Sequence, residues 1–237
     1  MICVALCAGK GSRLGDLTSD LPKTLLPIDG DTTILDTIFQ GVSPHVERFV
    51  VVAGYQADVL KAAVAEMADV SVHVVEDVDR WNNARSLWSS LRDLDDDVLV
   101  VNGDTVVHPS ATRALLAGAS GHEVALAVDT THALGEEEMK VIVDADGHVQ
   151  QISKLLEPAD CHGEYIGQSV IAKDSIAVVS RHLEVSWNTR PQSYYEDGYQ
   201  LAINSGVRVG SVALPDIPWT EVDDTTDLKA ARCLAWL

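Results

Sequence analysis

The sequence predicts an α/β fold: a Rossmann-like, mostly parallel mixed sheet flanked by helices, with a small antiparallel β insertion. Short apolar runs alternate with helix-like stretches, which is typical of right-handed βαβ units. The runs are apolar throughout rather than alternating, as in strands covered on both faces. The predicted strands are Cys3–Leu6, Phe49–Val52, Val70–Val75, Val98–Asn102 and Val124–Val128.

The stretches between these runs are predicted to be helices. Asp31, which precedes Thr32-Thr33, is the expected N-cap of the first one, because Asp accepts hydrogen bonds from free backbone N–H groups at a helix start. The predicted helices are Ile34–Gly41, Gln56–Met67, Ala84–Leu94 and Ser110–Ala117.

After Val128 the pattern changes, and a β-hairpin is predicted. Met139–Val143 and His148–Ile152 flank an Asp-Gly turn, a strong hairpin signal. The remaining predicted elements are a strand at Glu164–Ala172, helices at Lys173–Leu183 and Tyr194–Asn204, a strand at Val207–Ala213 and a closing helix at Asp227–Leu237. Without an internal repeat or a clear linker, one domain over residues 1–237 is favoured over two.

Composition excludes several classes of partner. The net charge of −19 argues against nucleic acid and against anionic membranes, which both need a basic face. We expect a cytoplasmic protein, because there is no basic n-region and no membrane-length apolar run. The four cysteines lack metal-ligand or redox spacing. Cys3 and Cys7 are predicted to be small core residues.

A glycine-rich segment with nearby cations follows the first predicted strand. Gly9-Lys10-Gly11-Ser12-Arg13 lets the backbone turn sharply and direct amide N–H groups at a ligand, and Lys23 adds positive charge. This combination suits a polyphosphate. The segment matches neither the dinucleotide fingerprint nor the P-loop. The alternative for the two glycines alone is a turn with solvated lysines.

Several notable segments follow the carboxyl ends of predicted strands, where open α/β sheets bind ligands. They are Gly9–Arg13, Gly54-Tyr55, Trp81–Ser86 and Gly103-Asp104. A carboxylate beside a phosphate site usually needs a bridging cation such as Mg²⁺, which makes Asp104 a candidate metal ligand. The alternative is that Asp104 is an ordinary turn residue or helix cap.

Three further groups of polar residues each have a structural alternative. Asn82 and Asn83 offer donors and acceptors that can bind a base edge, but amides at a helix start also cap it. Lys140 and Lys154 lie on successive hairpin strands and are predicted to face one site, although solvated edge charges are the alternative. Tyr194 fits a core position, and the acidic residues that follow it fit an exposed helix equally well.

Together these segments resemble the nucleotidyltransferases that make nucleotide-sugars and CDP-alcohols. The first stretch, with Pro22-Lys23-Thr24-Leu25-Leu26-Pro27-Ile28 at its end, resembles the family's A-A-G-x-G-x-R-L…P-K-x-L-x-P-I pattern, with Cys7 replacing an alanine. Glu221-Val222-Asp223 to Leu228 resembles its E-[IV]-D-x-x-x-D-L motif. Asn82 to Leu87 resembles N-N-x-x-S-L of the CTP-using branch. Three further stretches resemble that branch's acceptor half: Met139-Lys140-Val141, Ile152-Ser153-Lys154 and Gly163-Glu164-Tyr165-Ile166-Gly167.

The resemblance implies a role for each matching residue. Residues 1–128 would mainly bind the nucleotide and residues 129–237 the acceptor, with Asp104 and Asp223 holding Mg²⁺. Lys23 and Arg13 would act on the phosphates and, with the two aspartates, form the catalytic set. The implied nucleotide-binding residues are Leu6, Ala8, Gly9, Lys10, Gly11, Ser12, Gly54, Tyr55, Asn82, Asn83, Ser86 and Gly103. The implied acceptor-binding residues are Lys140, Lys154, Glu164, Tyr194, Glu196, Asp197 and Glu221.

The expected function is therefore Mg²⁺-dependent transfer of CMP from CTP to a small phosphonate or phosphomonoester, with release of pyrophosphate. The segment Glu136–Met139 has no aromatic residue, which disfavours a choline acceptor because a quaternary ammonium calls for an aromatic box. Two alternatives stay open: a sugar-1-phosphate uridylyl- or thymidylyltransferase, and a nucleotide-binding regulator without catalysis. The sequence also leaves a homodimer open.

Overall fold

The computed structural model describes residues 1–214 and 216–234. The strands are β1 (Ile2–Leu6), β2 (Pro27–Asp29), β3 (Thr32–Thr33), β4 (Arg48–Ala53), β5 (Val70–Val74), β6 (Val98–Asn102), β7 (Thr105–Val107), β8 (Val124–Asp129), β9 (Lys140–Val143), β10 (Val149–Ser153), β11 (Gly163–Ile171), β12 (Val209–Ala213) and β13 (Trp219–Glu221). The helices are α1 (Ile34–Val42), α2 (Ala57–Val64), α3 (Asn83–Leu91), α4 (Ser110–Gly118), α5 (Ile176–Thr189), α6 (Tyr195–Asn204) and α7 (Thr225–Ala231).

The main sheet is mixed and mostly parallel, which confirms the predicted fold class. Its central strand order is β5-β4-β1-β6-β11-β8-β12. β1 pairs in parallel with β4 and β6, β4 with β5, and β8 with β12. β11 is antiparallel to both β6 and β8. The carboxyl ends of β1, β4 and β6 therefore lie at one edge.

Continuous burial explains why the central strands are apolar throughout. Val4, Val100 and Leu126 are fully buried in one core cluster, and Leu99 and Val101 in a second cluster. Adjacent residues of one strand thus point into different clusters, as the pleat requires. The buried sheet positions the strand ends that carry the polar residues.

Two antiparallel pairs complete the edge. β9 and β10 form the predicted hairpin, and β9 pairs with the first residues of β11, so that Lys140 lies opposite Glu164. β13 pairs with β7 and places Glu221 opposite Thr105, next in sequence to Asp104. The backbone N–H of Val222 donates to the carbonyl oxygen of Asp104 at 2.9 Å. This bond brings the last acidic segment beside the end of β6.

The boundaries of several elements differ from the predictions. Thr33, not Asp31, caps α1: its hydroxyl accepts from the N–H of Asp36 at 3.2 Å, and the Asp36 carboxylate accepts from the N–H of Thr33 at 2.8 Å. This reciprocal capping box outcompetes Asp31, which lies in the turn before β3. Lys173 forms a short 3₁₀ turn ahead of α5, and α5 continues beyond Leu183.

The closing helix also differs from its prediction. It begins two residues before Asp227, because Asp224 accepts from the N–H groups of Thr226 and Asp227 and caps it. It ends at Ala231, and residues 235–237 of the predicted helix lie outside the described residues. Within residues 1–214 and 216–234, none of the helices has the length and apolar character of a membrane span.

Candidate active site

The glycine-rich segment turns tightly over Lys23. Gly11 has φ +63°, in the left-handed region that favours glycine. A Cβ on Gly11 would lie 3.0 Å from Cβ of Lys23, so a side chain at position 11 would press on the Lys23 side chain. The loop thereby places its N–H groups and the Lys23 side chain on the same side of the sheet edge.

If the loop binds CTP, as the sequence resemblance implies, Gly11→Ala is expected to weaken that binding, and it should lower stability by about 1–2 kcal/mol. The left-handed conformation costs an alanine about that much, and the new Cβ displaces Lys23. Gly30→Ala is the matched control, because Gly30 has φ +53° but has no atom within 4 Å of the position that a Cβ would take. Both variants should lose stability in chemical denaturation, whereas only Gly11→Ala should raise the Kd for CTP. Equal CTP affinities would refute the close-contact argument.

A network of ion pairs connects Lys23 and Arg13 to Asp104 and Asp223. The ammonium of Lys23 lies 2.8 Å from Oδ2 of Asp104 and 2.9 Å from Oδ1 of Asp223. A guanidinium nitrogen of Arg13 lies 2.7 Å from Oδ2 of Asp223. The sequence separations of 81 and 200 residues are bridged because β6, β13 and the glycine-rich loop meet at one edge.

The network shifts the pKa values of two of its members. Burial acts to lower the pKa of Lys23, but the two carboxylates outweigh it and raise the pKa above its usual value. Burial acts to raise the pKa of Asp223, yet Lys23 and Arg13 hold it below the usual range. Lys23 and Asp223 are therefore both charged near neutral pH.

Asp104 and Asp223 fit a divalent cation. Oδ1 of Asp104 is buried and has no hydrogen-bond partner among the described residues. Leaving such an oxygen unpaired costs free energy. A divalent cation would satisfy it, because carboxylate oxygens are the ligands that hard cations prefer. Mg²⁺ needs few protein ligands, because water and phosphate oxygens complete its octahedron.

The start of α3 uses its asparagine side chains structurally. Oδ1 of Asn82 accepts from the N–H of Asn83 at 2.8 Å, and Nδ2 of Asn82 donates to the carbonyl of Gln192 at 3.3 Å. Oδ1 of Asn83 accepts from the N–H of Tyr195 at 2.9 Å. The capping alternative is therefore correct for Asn82, and Asn83 joins α3 to α6. Both residues nevertheless line the cavity.

Three glutamate side chains line the same site: Glu164, Glu196 and Glu221. Burial, reinforced by Glu138 and Glu221, raises the pKa of Glu164 to about 8. Burial and the charges of Asp104 and Asp223 raise the pKa of Glu221 to about 7. Glu196 is only 5% exposed, and burial, reinforced by Glu221, raises its pKa to about 8. Burial and mutual repulsion therefore disfavour the ionised form of all three carboxyl groups.

One cavity of about 280 Å³ brings most of the predicted residues together. It runs from the glycine-rich loop past the network of ion pairs to the three glutamate side chains. The predicted residues that line it are Leu6, Ala8, Gly9, Gly11, Arg13, Lys23, Asn82, Asn83, Ser86, Gly103, Asp104, Lys154, Glu164, Tyr194, Glu196, Glu221 and Asp223.

Two predicted acceptor residues point elsewhere, which corrects the expectation. Lys140 is 0% exposed, and its ammonium donates to the carbonyl oxygens of Gly135 and Glu136 at 3.0 Å each and of Glu138 at 3.3 Å. A buried ammonium needs such acceptors, so Lys140 fixes the loop before β9 instead of facing the site with Lys154. Asp197 caps α6 and forms an ion pair with Arg190 at 2.5 Å.

Four predicted nucleotide residues do not line the cavity either: Lys10, Ser12, Gly54 and Tyr55. Gly54 packs behind the loop, where a Cβ would lie 3.0 Å from the carbonyl oxygen of Ala8. The ammonium of Lys10 lies 5.5 Å from the ring centroid of Tyr55, whose hydroxyl donates to the carbonyl of Thr18 at 2.9 Å. Gly54 and Tyr55 thus contact the loop and the segment after it from outside the cavity.

The cavity also contains residues that the sequence analysis did not select. Asn102, Glu137, Tyr165 and Trp219 line it. Asn102 had a usable signal, since it is the polar end of a buried strand directly before Gly103-Asp104. Tyr165 has the sequence pattern of a core residue, and it reaches the cavity because β11 lies beside β6.

The sequence profile of the MobA-like NTP transferase domain matches residues 3–183. The chain is 28% identical to CMP-5'-(3-aminopropyl)phosphonate synthase of Streptomyces rubellomurinus, over 96% of this chain and 38% of that protein. It is also 28% identical to the bifunctional protein GlmU of Paraburkholderia phymatum, over 92% of this chain and 48% of that protein. The chain thus spans less than half the length of these curated relatives.

Solved structures share the fold. The inositol-1-phosphate CTP transferase from T. maritima superposes with a TM-score of 0.80 at 23% identity, covering 99% of this chain and 96% of that chain. The CTP:phosphocholine cytidylyltransferase from Streptococcus pneumoniae gives a TM-score of 0.78 at 16% identity, covering 98% and 97%. The arrangement of sheet, hairpin and helices is therefore that of these transferases.

Proposed function

This chain belongs to the MobA-like NTP transferase domain family, and from that premise we propose that it is a Mg²⁺-dependent cytidylyltransferase. It transfers CMP from CTP to a small phosphonate or phosphomonoester and releases pyrophosphate. The observation that carries the proposal is the meeting of Lys23 with Asp104 and Asp223 at the floor of one cavity, beneath a glycine-rich loop. The names of the aligned phosphonate synthase and of the two structural neighbours support CTP as the donor.

Each step of the proposed reaction uses residues that line the cavity. An oxygen of the acceptor's phosphonate or phosphate attacks the α-phosphorus of CTP, the new P–O bond forms, and the bond to the pyrophosphate oxygen breaks. The attacking oxygen is already anionic, so alignment and charge stabilisation supply the catalysis. N–H groups of the loop at Gly9 and Gly11 bind the triphosphate, Arg13 binds its outer phosphates, and Lys23 stabilises charge at the α-phosphate.

The remaining residues hold the two substrates in place. Asp104 and Asp223 would hold Mg²⁺, which supplies positive charge to the phosphates when it is bound. The nucleoside lies beside Ser86, Asn82 and Asn83. Lys154 binds the acceptor's anionic group. The proposed partners of the protein are CTP and a phosphorus oxyacid. The proposed location is the cytoplasm.

The proposal is tested by pyrophosphate release with CTP, UTP, dTTP and ATP in turn, each with Mg²⁺ and a panel of phosphonates and phosphomonoesters. We expect turnover with CTP to be roughly tenfold or more above that with the other nucleotides, the discrimination that one to two base-edge hydrogen bonds supply. A preference for UTP or dTTP with a sugar 1-phosphate would replace the cytidylyl assignment with the sugar-nucleotide alternative. Tight CTP binding without product from any acceptor would indicate a nucleotide-binding regulator instead.

A further inference from the structure

Asn102 lies where the two proposed halves of the cavity meet. It is the last residue of β6, it pairs in register with Leu6 at the end of β1, and it directly precedes Gly103-Asp104. On its other side β6 lies against β11, which carries Tyr165 into the same cavity. The proposed reaction joins an acceptor oxygen to the α-phosphorus of CTP, so the reacting atoms come together beside Asn102.

The side-chain oxygen of Asn102 is already paired within the protein. The hydroxyl of Tyr195 donates to Oδ1 of Asn102 at 2.9 Å, and the hydroxyl of Tyr165 lies 2.9 Å from that of Tyr195. A hydroxyl has one hydrogen, so Tyr195 gives its hydrogen to Asn102 and accepts from Tyr165. Both tyrosines are buried. This chain of hydrogen bonds fixes which end of the Asn102 amide is the oxygen and which is Nδ2.

A bulge in β11 leaves room for the other end of the amide. The pairing of β11 with β8 shifts register between Tyr165 and Ser169, and Gly167 within this stretch has φ +77°. A Cβ on Gly167 would lie 2.5 Å from Nδ2 of Asn102, closer than a real Cβ approaches. The amide therefore occupies space that only a glycine at position 167 leaves open. Bulges beside active sites commonly set the direction of a side chain in this way.

Nδ2 of Asn102 is a free donor at the cavity. Among the described residues none accepts a hydrogen bond from it, and Asn102 lines the cavity. Nδ2 carries two hydrogens, so it can donate to one or two oxygens of a ligand. A donor that is held in place before the substrate arrives stabilises developing charge without reorganisation during the reaction.

We propose that Nδ2 of Asn102 donates to a phosphorus-bound oxygen at the reacting centre, and that Tyr195 is the positioning residue that fixes the amide for this contact. This inference rests on the proposed cytidylyl transfer and adds a catalytic residue to it. The oxygen belongs to the α-phosphate of CTP or to the acceptor's phosphonate or phosphate. A neutral amide gives either oxygen a directed hydrogen bond without competing with a divalent cation for Asp104 and Asp223.

Asn102→Ala tests the contact. With CTP, Mg²⁺ and the acceptor that the wild type uses best, we expect kcat/KM to fall by roughly 10–150-fold, the range of one hydrogen bond to a charged group. A higher Kd for α,β-methylene CTP assigns the oxygen to the nucleotide, and a higher KM for the acceptor alone assigns it to the acceptor. Asn188→Ala, at an exposed position of α5, is the matched control and should behave as the wild type.

Two tyrosines of α6 test the positioning role. Tyr195→Phe and Tyr199→Phe each remove one buried hydroxyl, since that of Tyr199 is bonded to Ser169 at 2.9 Å. Both variants should lower the urea midpoint by similar amounts. Only Tyr195→Phe should lower kcat/KM, by roughly 2–12-fold, the net value of one neutral hydrogen bond. Equal losses of kcat/KM in the two variants would overturn the positioning role.

The double variant separates positioning from general packing. Because Tyr195 acts through Asn102, adding Tyr195→Phe to Asn102→Ala should cause no further loss of kcat/KM. A further loss as large as that of Tyr195→Phe alone would mean that its hydroxyl acts only on the fold. Tyr195→Phe also keeps the proposal testable if Asn102→Ala does not fold.

Binding measurements separate failure of this inference from failure of the proposed function. Transfer by the wild type, with Asn102→Ala active within about twofold of it, would overturn the Asn102 contact and leave cytidylyl transfer standing. Absence of transfer by the wild type to every acceptor would overturn the proposed function. In that case calorimetric titration with α,β-methylene CTP and with propylphosphonate decides, because Asn102→Ala should bind at least one of them more weakly. Equal affinities for both would overturn the Asn102 contact as well.

Discussion

Lys23→Ala is expected to lower kcat for nucleotidyl transfer by about 10²–10³-fold, the cost of removing one preorganised donor to a charged transition state. The ammonium of Lys23 contacts both candidate metal ligands, Asp104 at 2.8 Å and Asp223 at 2.9 Å. Its side chain is 12% exposed, so water replaces it poorly. Pyrophosphate release at saturating CTP and Mg²⁺ measures the effect.

The matched control is Lys61→Ala, which also removes one lysine but from an exposed ion pair on α2. It should leave kcat unchanged, because surface pairs contribute little and Lys61 lies outside the cavity. Lys23→Arg keeps the charge but changes its shape, so it should recover only part of the activity. Turnover of Lys23→Ala within about twofold of wild type would contradict the assignment of Lys23 to the reacting phosphate.

The same variant has an expected result that does not depend on turnover. Without the ammonium, Asp104 loses its ion-pair partner and Asp223 keeps only Arg13, so the repulsion between the two carboxylates grows and a divalent cation relieves it. Addition of Mg²⁺ should therefore raise the Tm of Lys23→Ala more than that of the wild type. An equal or smaller shift in the variant would mean that the two carboxylates are not the cation ligands.

Local pattern was sufficient for the main sheet, and it singled out two segments that line the cavity, the glycine-rich loop and Gly103-Asp104. Uniform apolar runs marked β6 at its observed bounds, because a strand covered on both faces leaves an unbroken signature. Turn chemistry marked the glycine-rich loop, and the position of Asp104 after β6 placed it at the ligand-binding edge.

Side-chain direction was beyond the reach of the sequence. Lys140 and Lys154 are equivalent by spacing, yet the first is buried on loop carbonyls and the second lines the cavity. Their difference depends on how residues 135–138 fold back, which no periodicity encodes. Likewise Glu196 and Glu164 share one cavity only because the start of α6 and the start of β11, which are distant in sequence, both reach it.

Asp129→Asn is expected to lower the free energy of unfolding at pH 7 by about 1–3 kcal/mol, the cost of leaving a buried hydrogen-bonding group without its partner. Asp129 ends β8, is 2% exposed and accepts from the N–H of Thr131 at 2.8 Å and from Nε1 of Trp219 at 2.6 Å. It also contacts Nδ1 of His132. An amide NH₂ would face one of these donors, and the tie between β8 and β13 would weaken.

The effect of Asp129→Asn on the free energy of unfolding is expected to depend on pH. Burial acts to raise the pKa of Asp129, but the donors from His132, Trp219 and Thr131 outweigh it and hold the pKa below its usual value. Its stabilisation is therefore complete above the unfolded-state pKa of about 3.9 and is lost as pH falls towards the folded-state value. The difference in stability between wild type and Asp129→Asn should accordingly narrow as pH falls from about 5 to about 2.5.

Urea denaturation at several pH values measures both curves. Asp146→Asn, at an exposed position in the turn between β9 and β10, is the matched control and should follow the wild-type curve within about 0.5 kcal/mol. β13 carries Glu221 and leads directly to Asp223, so loosening Trp219 should also raise the KM for the acceptor. A pH-independent stability difference would show that Asp129 acts through packing rather than through its charge.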